Sequence, residues 1–183
     1  MWIKAENRKP PQMGEAITPA AVQVSSSDTG SEAISLINGH GLRDLDFDNL
    51  TEHRGDPAYV WRSAKGDAKS WVEFDFGKPQ NLSTLTVWNY NDTWHTDQGV
   101  RKMDISVWTQ ETGWRKIREN QPVDQAEGGD GYDEPTIIRL DPTTAQKVRF
   151  DNLVSLGDSE YVGLSEVQFF GSTSSAASLV SQR

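Results

Sequence analysis

Apolar and polar residues alternate with a period of two through most of the chain. Trp71-Val-Glu-Phe-Asp-Phe76 sets Val72, Phe74 and Phe76 against Trp71, Glu73 and Asp75, and Gly77-Lys-Pro79 then predicts a turn. Leu82 to Tyr90 places Leu85 and Val87 on one face, with Thr84, Thr86 and Trp88 on the other. Val100 to Thr109 sets Met103, Ile105 and Val107 opposite Lys102, Asp104, Ser106 and Trp108, and Glu111-Thr-Gly113 predicts a hairpin turn into Trp114 to Arg118. Thr136 to Leu140, Lys147 to Leu153 and Ser165 to Phe170 repeat the pattern. Apolar positions at helical spacing never persist long enough for a major helix. At least seven short strands, each with one apolar face to bury, predict an all-β fold, an antiparallel β-sandwich.

Three long irregular stretches separate the strands: His40 to Val60, Asn91 to Gly99 and Asn120 to Pro135. They are expected as loops at the sandwich ends, and loops of that length carry function or stay disordered. Residues 1–17, with Pro10, Pro11 and Gly14 and no period, read as a linker or the remnant of a preceding element. Residues 172–183, rich in Ser and Ala, read as a tail, which leaves residues 18–171 as one domain.

Composition narrows the partners. The chain of 183 residues carries 27 acidic against 18 basic side chains, a formal charge of −9, and its basic residues gather into no stripe, so nucleic acid is not an expected partner. With no Cys, disulfides, thiolate metal sites and thiol nucleophiles are excluded. No stretch approaches the roughly 18 apolar residues of a membrane-spanning helix, and Met1 to Pro11 holds no apolar signal core, so neither membrane insertion nor a retained secretion signal is expected.

Catalytic chemistry finds little support. The three histidines, His40, His53 and His95, lie in no catalytic motif, and Gly128-Gly-Asp-Gly131 lacks the Lys-Ser/Thr of a phosphate-binding loop. Carboxylates are abundant in so acidic a chain, without the spacing of an acid and base pair, so no enzyme is expected. Asp44-x-Asp46-x-Asp48 alternates oxygens as a calcium loop does, but the Gly and distal Glu of an EF-hand are missing, and a solvated loop needs no ion.

Tryptophan is the informative excess, with seven in the chain. Trp61 and Trp71 flank a strand and are expected in the core, whereas Trp88, Trp108 and Trp114 suit core or face. Trp94 stands in Asn89-Tyr-Asn-Asp-Thr-Trp-His-Thr-Asp97, among amides, a carboxylate and an imidazole. Such a ring can cover the apolar face of a sugar while Asn91 and His95 pair with its hydroxyls; it serves equally as a cap on the sandwich end. His53, Arg54 and Tyr59 in the first long loop, and Tyr132 in the third, add contacts if their loops share the end that holds Trp94.

In order and spacing, six segments resemble the discoidin, or coagulation factor C-type, domains and the related family 32 carbohydrate-binding modules. These are Ser25-Ser-Ser-Asp-Thr-Gly30, Leu36-Ile-Asn-Gly-His-Gly-Leu42, Val60-Trp61, Trp71-Val-Glu-Phe-Asp-Phe-Gly77, Val87-Trp-Asn-Tyr-Asn91 and Gly163-Leu-Ser-Glu-Val-Gln-Phe169, within Thr18 to Gly171. The resemblance implies a jelly-roll sandwich of galactose-binding-domain type, a structural Ca2+ and a ligand site in the loops at one end. Glu166, Asn38 and the backbone carbonyls of Ser35 and of His40 to Gly41 are the implied metal ligands. Two departures stand out: Asn38 replaces the usual Asp of the Leu-Ile-Asp-Gly pattern, and Gln98-Gly-Val100 replaces Arg-Gly-Val.

The expected protein is therefore a non-catalytic carbohydrate-binding module, secreted or at the cell surface, monomeric and part of a larger multidomain protein. The alternative is a protein–protein interaction or spacer domain of an extracellular protein.

Overall fold

The computed structural model describes residues 13–44, 51–157 and 159–172. Asp46 and Asp48, most of the leading segment and nearly all of the tail lie outside them.

Among the described residues there are ten strands: β1 (Ala16–Ile17), β2 (Ala21–Val24), β3 (Leu42–Arg43), β4 (Glu52–His53), β5 (Trp61–Arg62), β6 (Val72–Asn89), β7 (Val100–Thr109), β8 (Gly113–Pro122), β9 (Thr136–Ser155) and β10 (Gly163–Gly171). Helical structure among the described residues is confined to single 3-10 turns at Ala33–Leu36, Pro57–Tyr59 and Thr96–Gln98. Strands β1-β10-β6-β9-β7-β8 run side by side, β2 adds to β6, β5 adds to β10, and every pairing is antiparallel. Ala16 and Ile17, expected in the linker, pair with Phe170 and Phe169 and so join the sheet.

Two strands are longer than their apolar runs suggest. Gly77-Lys-Pro79 does not end β6; the strand passes through it, with Gly77 at φ +73° and a register shift between Asp75 and Gln80. Likewise the runs Thr136 to Leu140 and Lys147 to Leu153 are the two halves of β9. The first half of β6 joins β2 and the second half of β9 beside β7 and β8, as the back layer. The second half of β6 and the first half of β9 join β10, β1 and β5 as the front layer. The second of the two shifts in β6, between Leu82 and Thr84, changes which parity of residue faces inward: the core positions go from Val72, Phe74, Phe76 and Leu82 to Leu85 and Val87. One core results, with Phe74 of the back layer edge-on to Phe169 of the front layer at 5.0 Å.

Trp61 is fully buried in that core, as expected. Trp71 is not: it precedes core-facing Val72 by one residue, so the strand alternation turns it to the outer face. Trp88 sits in a second buried cluster with Tyr132 and Ala126, where loop residues cover the outside of the front layer.

The back layer is stapled by one buried carboxylate. Asp104 stands where β7 slips register against β8 and also against β9. Its oxygens accept from Lys116 Nζ (2.7 Å), the Asn120 amide (2.8 Å) and Asn152 Nδ2 (2.7 Å), and both asparagines hold left-handed backbone, at φ 51° and 52°. Lys116 and the Asn120 amide hold the Asp104 carboxyl down at about 2. A depressed carboxyl contributes stability above its unfolded pKa that is lost as pH falls through its folded one. Between about pH 4 and pH 2, unfolding should therefore become easier by on the order of 2 kcal/mol. Asp104→Ala should cost about 3 kcal/mol at neutral pH and remove that acid limb; urea midpoints across the window measure both.

Candidate functional site

Strand β6 ends at Asn89, and the residues that follow build the loop end. The Asn89 side chain donates to the carbonyls of Val100 and Asp124, both at 2.7 Å, and its oxygen accepts from the Val100 amide at 2.8 Å. Asn91, also fully buried, donates to the carbonyls of His53 (3.0 Å) and Gly129 (2.8 Å) and accepts from the Gly128 amide (2.9 Å). The three long loops thus meet at one end, as the sugar-site expectation requires, and buried backbone groups in them find partners. Gly55 is packed so closely on this joint that a Cβ there would stand 2.8 Å from Thr93 Oγ1.

Asp92 then forms a tight turn. One of its oxygens accepts from the Trp94 amide and the other holds His95 Nδ1, each at 3.1 Å. Thr93 Oγ1 donates to the Gly55 carbonyl at 2.9 Å, and Asp97 O accepts from the Gly157 amide (2.8 Å) and from Ser155 Oγ (2.9 Å). A loop tied down on both sides lifts one indole into solvent: Trp94 is 84% exposed. Large exposed apolar rings on rigid supports are what a shallow binding surface offers a ligand. Beside it, Asp92 takes Nδ1 of half-exposed His95, which leaves Nε2 for a ligand.

The remaining expected ligand contacts divide by burial. Asn91, His53 and Tyr132 have no surface for a ligand; they hold the loops together instead. The Tyr132 hydroxyl accepts from the Asn89 amide at 3.2 Å, and its ring stands edge-on to Trp88. His53 is fully buried, and neither ring nitrogen has a hydrogen-bond partner. Arg54 and Tyr59 are half-buried and lie against each other, guanidinium carbon to ring centre 5.8 Å.

A second constellation at the same end escaped the sequence reading. Arg62 pairs with Asp28, donates to Gln98 Oε1 at 3.0 Å and lies 4.4 Å above the centre of Tyr161. Tyr161 walls a cavity of about 290 Å³ that Leu153, Asp67, Ser155, Ser159 and Glu160 also line. The only sequence signal was position: Arg62 alternates with core Trp61, and Tyr161 comes two residues before Gly163, whose backbone is pressed on Tyr90 and Trp61.

At the implied metal position, Asn38, Gly39 and Glu166 line one cavity of about 220 Å³. Ser35, His40 and Gly41 do not line it. Ser35 is buried in a 3-10 turn, His40 is exposed, and Gly41 packs on the His53 ring while its carbonyl accepts from the Arg54 amide at 3.1 Å. Burial pushes the Glu166 carboxyl up to about 8, against the single amide of Gly39 at 3.0 Å that favours its charge. The Glu166 carboxyl and the Asn38 side-chain amide, which line the same cavity, are oxygen ligands of the kind a hard cation takes. Asn38 Oδ1 already accepts from the His40 amide at 2.9 Å and keeps a second lone pair.

The F5/8 type C domain profile matches residues 21–167. No curated protein sequence matches significantly. Among solved structures, the family 32 carbohydrate-binding module of NanJ from Clostridium perfringens, in complex with galactose, is 14% identical, covers 85% of this chain and 97% of its own, and superposes with a TM-score of 0.60. A fucose-binding module of Streptococcus pneumoniae is 17% identical, over 87% and 96%, at 0.61. CBM32-3 from a family 31 glycoside hydrolase of Clostridium perfringens is 18% identical, over 86% and 95%, also at 0.61. These likenesses establish the galactose-binding-like sandwich fold.

Burial holds the His53 imidazole down at about 4, so the folded chain keeps it neutral while the unfolded chain takes up a proton from about pH 6.5 downward. Stability is then complete above pH 6.5 and falls as pH drops toward 4, by on the order of 3 kcal/mol across the window. Urea midpoints at about pH 7 and about pH 4.5 test this, and His53→Gln should flatten the difference.

Proposed function

This chain belongs to the F5/8 type C domain family, and from that premise we propose that it is a non-catalytic module that binds a glycan at the loop end of its sandwich. The observation that carries the reading is the Trp94 indole, rigidly mounted yet open to solvent, with Asp92-oriented His95 beside it. A pyranose laid on the ring buries its C–H face, and His95 Nε2 pairs with a hydroxyl. The Tyr161 cavity across the loop Thr96–Gln98 takes a neighbouring sugar of a longer chain, with Ser155, Ser159 and Glu160 as hydroxyl partners. Structural neighbours support glycan binding: they include modules in complex with galactose and with 4,5-unsaturated mannuronic acid, and fucose-binding modules. No step of a reaction is assigned to any residue. A secreted or surface location, within a larger protein, is the setting in which such a module meets its glycan.

A shallow site competes with water for every hydroxyl, so a single-site Kd on the order of micromolar to millimolar is expected. A glycan array should give hits with the wild-type chain. Calorimetry on the best hit should show Trp94→Ala weakened by about tenfold or more and His95→Ala by less, with unchanged melting temperatures. Undiminished binding by Trp94→Ala would refute the platform, and a blank array with folded protein would refute the function.

We further propose that Glu166 and Asn38 hold a structural calcium ion. The ion supplies positive charge where the fold buries a carboxylate, and the residues tie the Leu36–Leu42 segment to β10. Calcium should raise the melting temperature relative to chelator in the wild type by several degrees and leave Glu166→Gln unmoved. No calcium shift in the wild type, or an equal shift in Glu166→Gln, would defeat the assignment.

A further inference from the structure

Away from the loop end, aromatic side chains concentrate on the outer face of the back layer. No buried second cluster covers this face among the described residues, whereas the front layer packs Trp88 beneath Tyr132 and Ala126. Strand register arranges its outward side chains in rows. Glu73, Arg149 and Ser106 stand side by side across β6, β9 and β7; in the next row Asp75, Lys147, Trp108 and Trp114 extend onto β8. Trp114 of β8 and Trp71, just before β6, both reach Arg149 of β9. The Arg149 guanidinium carbon lies 4.6 Å from the Trp71 ring centre and 4.8 Å from that of Trp114. A diagonal strip of two indoles about one guanidinium therefore crosses the sheet, and Trp114 is 42% exposed.

Most charges of this face pair with one another. Arg149 pairs with Glu73, and Lys147 bridges Glu73 (2.9 Å) and Asp75 (3.3 Å), so two cations meet two anions. Lys116 is likewise taken by Asp104. An anionic polymer would have to strip Arg149 from a nearly buried carboxylate and gains nothing. Dry protein–protein cores are enriched in Trp and Arg but depleted in Lys, Glu and Asp, and here Glu73, Lys147 and Lys116 stand among the indoles. A hydroxyl-rich ligand suits this pattern: it donates to carboxylates, accepts from ammonium and guanidinium groups without displacing their ion pairs, and lays C–H faces on the rings.

We propose that the outer face of the back layer is a second saccharide-binding surface, for a neutral extended polysaccharide lying along the Trp71–Arg149–Trp114 diagonal. The surface is separate from the Trp94 loop and stands whether or not that loop binds sugar. A strip that crosses several strands suits a chain of sugars rather than a chain end, so it adds affinity along a polymer where the loop end recognises a unit.

The test is affinity electrophoresis of the full chain in gels containing hydroxyethylcellulose, xyloglucan or galactomannan, with alginate as the anionic comparison. Wild type and Trp94→Ala should be retarded in at least one neutral gel. Trp114→Ala should bind about tenfold more weakly there, and Trp114→Tyr should recover part of the loss, all with unchanged melting temperatures. If Trp114→Ala loses stability, Trp114→Tyr and Trp108→Ala carry the comparison, with intermediate losses expected. Equal retardation of these variants and wild type, retardation only in alginate, or none in any neutral gel would overturn the proposal. So would retardation abolished by Trp94→Ala alone, or sedimentation showing a dimer that Trp114→Ala disperses, which would give the face to a second copy of the chain. Failure of the loop reading shows separately, as intact glycan-array binding in Trp94→Ala.

Discussion

The loop end of this protein depends on a buried amide. Asn91, one residue beyond buried Tyr90 at the end of β6, makes three side-chain hydrogen bonds to main-chain groups of two other loops. Loop backbone leaves polar groups that no strand partner can satisfy, and burying them unpaired costs about 1–3 kcal/mol each. Only a side chain that donates twice and accepts at the same point can close that account at one position. An aspartate there would set a carboxylate against two carbonyls, and a leucine would leave all three groups without partners.

From that joint follows the division of labour around it. His53 and Tyr132, which by residue type suit a sugar site, are drawn inside by the same packing that ties their loops to Asn91. The Tyr132 hydroxyl is spent on the Asn89 amide, and the His53 ring is enclosed behind Gly41 without a partner. What stays at the surface is what the joint supports rather than contains: the indole of Trp94, on the turn held by Asp92 and Thr93, and the Tyr161 wall beside Arg62. Rigid support matters because a shallow site has little binding energy to spend on ordering its own loops.

The same economy of polar groups shapes the sheets. Where β7 slips against both neighbours, Asp104 gathers an amide, an ammonium and a side-chain amide, and so makes two bulges compatible. Glu166 shows the opposite case: a buried carboxyl with one amide donor, which burial pushes up to about 8 and so toward its neutral form. On the back layer, Glu73, Lys147 and Arg149 settle their charges among themselves, which leaves the indoles beside them as the free chemistry of that face.

Alternation of apolar and polar residues determined the strands, the antiparallel sandwich and the gathering of long segments into loops, because a strand with one apolar face has only a few ways to bury it. Ordered motifs from Ser25 to Phe169 added the family. The same alternation already turned Trp71 outward, against its expected place in the core. Left to the tertiary structure were the continuity of β6 and β9 through their bends, the enclosure of Asn91, His53 and Tyr132, and the meeting of Arg62 with Tyr161 and of Arg149 with two indoles. Each depends on contacts between residues tens of positions apart. A local pattern records which side of its own strand a residue faces, but whether that side meets solvent, a ligand or another loop is set by the segments folded against it.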